Sequence, residues 1–114
     1  MKEIMLLDHD PEIRKYITEV LQTKFGEVGI TEAVNGLDAT AKFHSGIDLL
    51  IMGGRSQDLQ ANVFLRCVRN VYTRTRIVMM ANACHESNAS LCYDKIIYKP
   101  FAMKELVDAV KPFI

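Results

Sequence analysis

Three consecutive residues, Asp8-His9-Asp10, put two carboxylates and an imidazole directly after an apolar run, Glu3-Ile4-Met5-Leu6-Leu7. Side chains of this kind hold metal ions, move protons or pair with cations. A cation stands near the other end of the chain, in Tyr98-Lys99-Pro100-Phe101, again after an apolar stretch, Lys95-Ile96-Ile97-Tyr98. A third apolar run, Ile47 to Met52, stops at Gly53-Gly54. In a parallel α/β sheet, ligands and chemistry collect at the carboxyl ends of the strands, so these three ends are expected to meet. Gly53 brings no side chain to that meeting. Asp48 cannot substitute, because at about 3.3 Å per residue it lies some 16 Å away at the other end of the same strand. Ser56 and Asp58 follow in the next loop, and no constellation around them would activate either one.

The elements that would position these residues alternate from end to end, strand then helix, which argues for a parallel sheet covered by helices. Asp10 reads as a helix N-cap, with Pro11 at the first helical position, where its missing N–H costs nothing. Ile13, Ile17, Val20 and Leu21 form the buried stripe of that helix, and Gly26 ends it. Val28 to Val34 is a second strand and Asn35-Gly36 a turn, before a short helix over Leu37 to His44 that turns Leu37, Ala41 and Phe43 inward. Phe64, Cys67, Val68 and Val71 mark a third helix by their spacing of three, four and seven. Ile77 to Met80 is a fourth strand, Lys95 to Tyr98 a fifth. Met103, Leu106, Val107 and Val110 make the last helix, terminated by Pro112. A further helix is expected within Asn82 to Asp94, although Ser87-Asn88-Ala89-Ser90 is poor helix-forming material.

At 114 residues the chain fits one domain, residues 1–114. Fourteen basic residues balance fourteen acidic ones, so no net field draws it to nucleic acid or to an anionic membrane. No apolar stretch reaches membrane-spanning length, and Met1-Lys2-Glu3 leads into a strand rather than a signal peptide. Cys67, Cys84 and Cys92 are an odd number without CxxC spacing, which reads as reduced thiols in a cytoplasmic protein. Cys84-His85 has the residue types of half a metal site, but no second ligand pair follows at zinc spacing, so the cysteines read as ordinary loop and helix residues.

Taken in order and at their spacings, Asp8 to Arg14, Asn35-Gly36 and Lys99-Pro100-Phe101 make the whole chain resemble the receiver domain of two-component response regulators. The resemblance implies a flavodoxin-like, doubly wound, five-stranded parallel sheet of order 2-1-3-4-5 with five helices. Helices one and five would share one face. It also implies a site of two acids, an acceptor Asp, a switch Thr or Ser and a Lys, with Mg²⁺ bound. Here Asp8 is kept, His9 stands at the second acidic position, Gly53 at the acceptor, Ala81 at the switch and Lys99 at the lysine. The Pro and Gly that shape the loop after the acceptor fall on Gln57 and Ala61, and the aromatic switch position on Ile96, with Tyr98 close by. The stretch from Ala81 to Lys99 is about one helical turn shorter than in the family.

These departures point to a degenerate receiver. It would have no cofactor, no metal and no enzymatic activity, and would signal by protein–protein contact. The implied partners are other signalling proteins, an adjacent effector domain or a second copy. The implied contact face comprises Tyr93, Ile96, Tyr98, Met103, Lys104 and Val107. One carboxylate and a neutral imidazole make a poor Mg²⁺ site, so Asp8 is expected to pair with Lys99. The alternative is a phosphorelay receiver that takes phosphate at an unusual residue or binds a metal at Asp8, His9 and Asp10.

Overall fold

The computed structural model describes residues 1–53, 59–82 and 93–114. In chain order the elements are β1 (Lys2–Leu7), α1 (Pro11–Phe25), β2 (Val28–Ala33), α2 (Gly36–Lys42), β3 (Leu49–Gly53), α3 (Leu59–Val71), β4 (Arg76–Asn82), β5 (Lys95–Lys99) and α4 (Met103–Val110). A single 3₁₀ turn, Lys111–Phe113, follows α4 with Pro112 inside it. Among the described residues there are four α-helices rather than five. Of the stretch Asn82 to Asp94 where a further helix is expected, residues 83–92, with Cys84-His85 and Cys92, lie outside the described residues, and so do Ser56, Gln57 and Asp58.

All five strands are parallel and run in the order β2-β1-β3-β4-β5. Central strands of such a sheet are covered on both faces, so they must be apolar at every position rather than at alternate ones. Ile4, Met5, Leu6 and Leu7 of β1 and Leu49, Leu50, Ile51 and Met52 of β3 are accordingly all buried. The pleat sends Ile4, Leu6, Leu49 and Ile51 to one side, where Ile17 and Leu21 of α1 and Leu106 and Val110 of α4 pack. It sends Met5, Leu7, Leu50 and Met52 to the other, against Ala39 of α2 and Phe64, Leu65 and Val68 of α3. The first and last helices thus share a face.

Three helix faces differ from the expectation. In α2 the inward residues are Gly36, Ala39 and the partly buried Phe43, while Leu37 and Ala41 are exposed. Gly36 begins the helix instead of closing a turn, because the Asn35 side chain accepts the Asp38 N–H at 2.8 Å and caps it. The two helices meet there. A Cβ on Gly36 would overlap the backbone of Gln60 and Ala61. In α3 the core stripe is Ala61, Phe64, Leu65 and Val68, and Cys67 and Val71 face outward. In α4 it is Leu106, Ala109 and Val110, with Met103 exposed and Val107 at the margin.

Candidate functional site

The register brings the expected residues to one edge. Leu7, which precedes Asp8, is paired with Ala33 and with Met52, which precedes Gly53. Gly53 is paired with Met80, one residue before Ala81, and Lys99 closes β5 opposite Asn82. Asp8, Gly53, Ala81 and Lys99 therefore stand side by side at the carboxyl ends of β1, β3, β4 and β5. The crevice lies next to the point where the strand order reverses, between β1 and β3, the place open α/β sheets reserve for ligands.

Asp8 is held from every side. Its N–H donates to the Ala33 carbonyl at 3.1 Å and its own carbonyl accepts from Arg14 Nη1 at 2.6 Å. Its Oδ1 accepts the Asp10 N–H at 2.9 Å, and Oδ2 accepts from Lys99 Nζ at 2.7 Å. The Asp8 side chain is 1% exposed and that of Lys99 22%. A buried carboxylate and ammonium at this distance compensate each other's lost hydration, which neither could bear alone. The ion pair expected from the sequence is present, and its placement is what the sequence could not show. A Cβ on Gly53 would overlap Asp8 Oδ2, and would sit 2.9 Å from Asp8 Cγ and 3.3 Å from Lys99 Nζ. The pair lies over the glycine, in the volume a side chain there would occupy.

The other acids are employed elsewhere. Asp10 caps α1, accepting the Glu12 N–H at 2.9 Å, so Asp8, His9 and Asp10 do not converge on a common point. His9 is half-exposed, with Nδ1 at 3.5 Å from Asp8 Oδ1. Asp48 accepts the Glu3 N–H at 2.9 Å at the opposite end of the sheet. Among the described residues no group of three His, Cys, Asp or Glu side chains is arranged to hold a metal. Mg²⁺ needs near-octahedral oxygen ligands. The donor set here is one carboxylate already bound to an ammonium, one imidazole and a glycine, and it does not fit that ion.

Arg14 was the residue whose part sequence reasoning missed. Its guanidinium spans from the Asp8 carbonyl to Glu32 Oε1 of β2, at 2.8 Å from Nε, and so fixes the β1–α1 turn. The signal was there: a basic residue one turn beyond the Asp10 cap, on the side of α1 that leaves β1. The implied contact face is less uniform than expected. Tyr98, Met103 and Lys104 are exposed, whereas Tyr93 and Ile96 are partly buried against one core and Val107 against the other. Lys104 pairs with Asp108 at 2.8 Å, one turn along α4. Beside the site, Ile13, Tyr16, Pro100 and Phe101 line a shallow apolar hollow that also touches Lys99. The Lys99–Pro100 peptide is cis.

No protein-family model and no curated protein matches the sequence. Solved structures do match. The response regulator TrrA of Thermotoga maritima, determined in complex with Mg²⁺-BeF, is 28% identical over the full length of both chains, with a TM-score of 0.86. Chemotaxis protein CheY4 of Vibrio cholerae is 19% identical, covering 100% of this chain and 99% of its own, with a TM-score of 0.81. A CheY-like receiver domain of Methanospirillum hungatei is 17% identical over 98% and 92%, again with a TM-score of 0.81. The chain has the flavodoxin-like fold of response-regulator receiver domains.

Proposed function

We propose that this chain is a receiver-like signalling domain that acts through protein–protein contact without aspartyl phosphorylation. The observation that carries the reading is the Asp8–Lys99 pair lying over Gly53. In a receiver of the ordinary kind the acceptor carboxylate would stand at Gly53, the second metal-binding acid at His9 and the switch hydroxyl at Ala81. Each of these groups is missing, and the two that remain neutralise each other. Phosphoryl transfer to a carboxylate relies on a metal and a lysine to offset charge developing on the phosphoryl oxygens. Here no nucleophile is offered, and the lysine is already committed.

A domain in this condition signals by what it binds. The exposed Tyr98, Met103 and Lys104, with Tyr93, Ile96 and Val107 behind them, form the edge of β5 and α4 proposed to meet other signalling proteins, an attached effector domain or a second copy. No enzymatic activity is proposed, and a cytoplasmic location follows from the same reading. Incubation with acetyl phosphate and Mg²⁺ followed by intact-mass measurement tests it: the mass is expected to stay unchanged. Stoichiometric addition of a phosphate labile at alkaline pH would overturn it in favour of a receiver that accepts phosphate at an unusual residue.

A further inference from the structure

Helix α3 carries a second row of apolar side chains that takes no part in the core. Leu59, Val63, Cys67 and Val71 follow one another at steps of four, so they form a single ridge with neighbouring Cβ atoms about 6 Å apart. Leu59 is 70% exposed, Val63 62% and Val71 66%, and Cys67 is an exposed free thiol. Isolated exposed apolar residues are ordinary on a protein surface, whereas contiguous ones are where contact surfaces are found. Leu37 is also exposed, directly after Gly36 where α2 meets α3.

The charge carried by α3 itself has one sign. The chain as a whole is balanced, yet from Leu59 to Asn82 it contains four arginines, Arg66, Arg69, Arg74 and Arg76, and no Asp or Glu. Asp94 lies 3.4 Å from Arg69 and 3.6 Å from Arg76. Arg66 and Arg74 are exposed and form no ion pair among the described residues. Arg66 sits three residues after Val63 and one before Cys67, on the flank of the ridge.

A second copy of this chain is a poor occupant. Two α3 helices laid antiparallel about their midpoint would set Arg66 against Arg66, with no acid on either helix to separate them. A partner carrying its own acids beside an apolar seam satisfies both features at once. We infer that α3 is a docking surface for an acidic amphipathic helix of another protein. The helix would lay its apolar residues along Leu59, Val63, Cys67 and Val71 and direct Asp or Glu side chains to Arg66 and Arg74. This surface consists of α3 residues and shares none of the residues proposed for the β5–α4 edge.

The test uses the whole chain and a displayed library of short amphipathic helices with a fixed apolar seam and random flanks. Selected helices are expected to be enriched in Asp and Glu, to shift the NMR signals of Leu59, Val63, Cys67 and Val71, and to weaken with added salt. Val63→Glu should reduce their affinity by about tenfold or more while leaving thermal unfolding unchanged, since Val63 is outside the core. Arg66→Glu should turn the selected flanks from acidic to basic. The inference is overturned if nothing is selected, if the flanks show no acidic enrichment, or if binding maps elsewhere. Self-association of the chain abolished by Val63→Glu would overturn it too.

Discussion

Replacing a strand glycine by alanine ordinarily stabilises a protein by about 0.5–1 kcal/mol. Gly53 should show the opposite sign. Its Cβ would meet a carboxylate that is buried and bound at both oxygens, and overpacking of that kind costs about 1–3 kcal/mol. Urea unfolding of Gly53→Ala checks this, and a variant as stable as the parent would mean that Asp8 moves aside freely. Gly53→Asp adds a second carboxylate to the same space. It should be less stable than the parent and phosphorylate slowly at best, because the second acidic position is still His9. Asp8→Ala should lower stability by about 3 kcal/mol, since it strands the Lys99 ammonium in a mostly buried crevice. Glu105→Ala is the comparison. Glu105 is exposed and, among the described residues, accepts only the Ala102 N–H, at 3.2 Å, so its loss should cost about 1 kcal/mol or less. Equal unfolding midpoints would refute a structural ion pair. At this scale the sequence was legible in its parts: Asp8 and Lys99 were readable as partners, and Gly53 as a vacant position. That the pair lies over the glycine was not legible, because it depends on side-chain torsions that no spacing encodes.

Helix α2 is held by its beginning. Asn35 accepts the Asp38 N–H, and Asp38 Oδ2 in return accepts the Val34 N–H at 3.0 Å. That backbone hydrogen bond, and after it the Lys42 ammonium, hold the Asp38 carboxyl below the usual carboxylate range. A depressed native pKa contributes stability that is present above the unfolded value and disappears as the pH falls through the native one. Acidification below about pH 4 should therefore free the Val34 amide and loosen the start of α2, as followed by NMR of that amide. Asp38→Asn should remove the dependence. Gly36→Ala adds a better helix former, yet it should destabilise, because the Gln60–Ala61 backbone occupies the space. The helices were legible in existence but not always in rotation. In α3 both Phe64-Cys67-Val68-Val71 and Ala61-Phe64-Leu65-Val68 have the spacing of three, four and seven, and they share two residues. Periodicity alone cannot choose between them. In α2 the small residues Gly36 and Ala39 face inward because the helix lies close against its neighbour, while the larger Leu37 finds no room.

For the molecule as a whole, the strand order was legible through the resemblance to receiver domains, and right-handed crossovers agree with it. The balance of charge, by contrast, concealed its distribution: an acid-free stretch from α3 through β4 is offset by acids elsewhere. On the proposed reading, a receiver-like fold surrounds a crevice in which Asp8 and Lys99 pair with each other. The most direct measurement is an NMR titration with Mg²⁺ and beryllofluoride, the pair present in the TrrA structure. The amide signals of Asp8, Gly53, Ala81 and Lys99 are predicted to stay in place throughout. Saturable shifts of these signals with a millimolar or tighter affinity would show an open, metal-binding phosphoryl site and contradict the account.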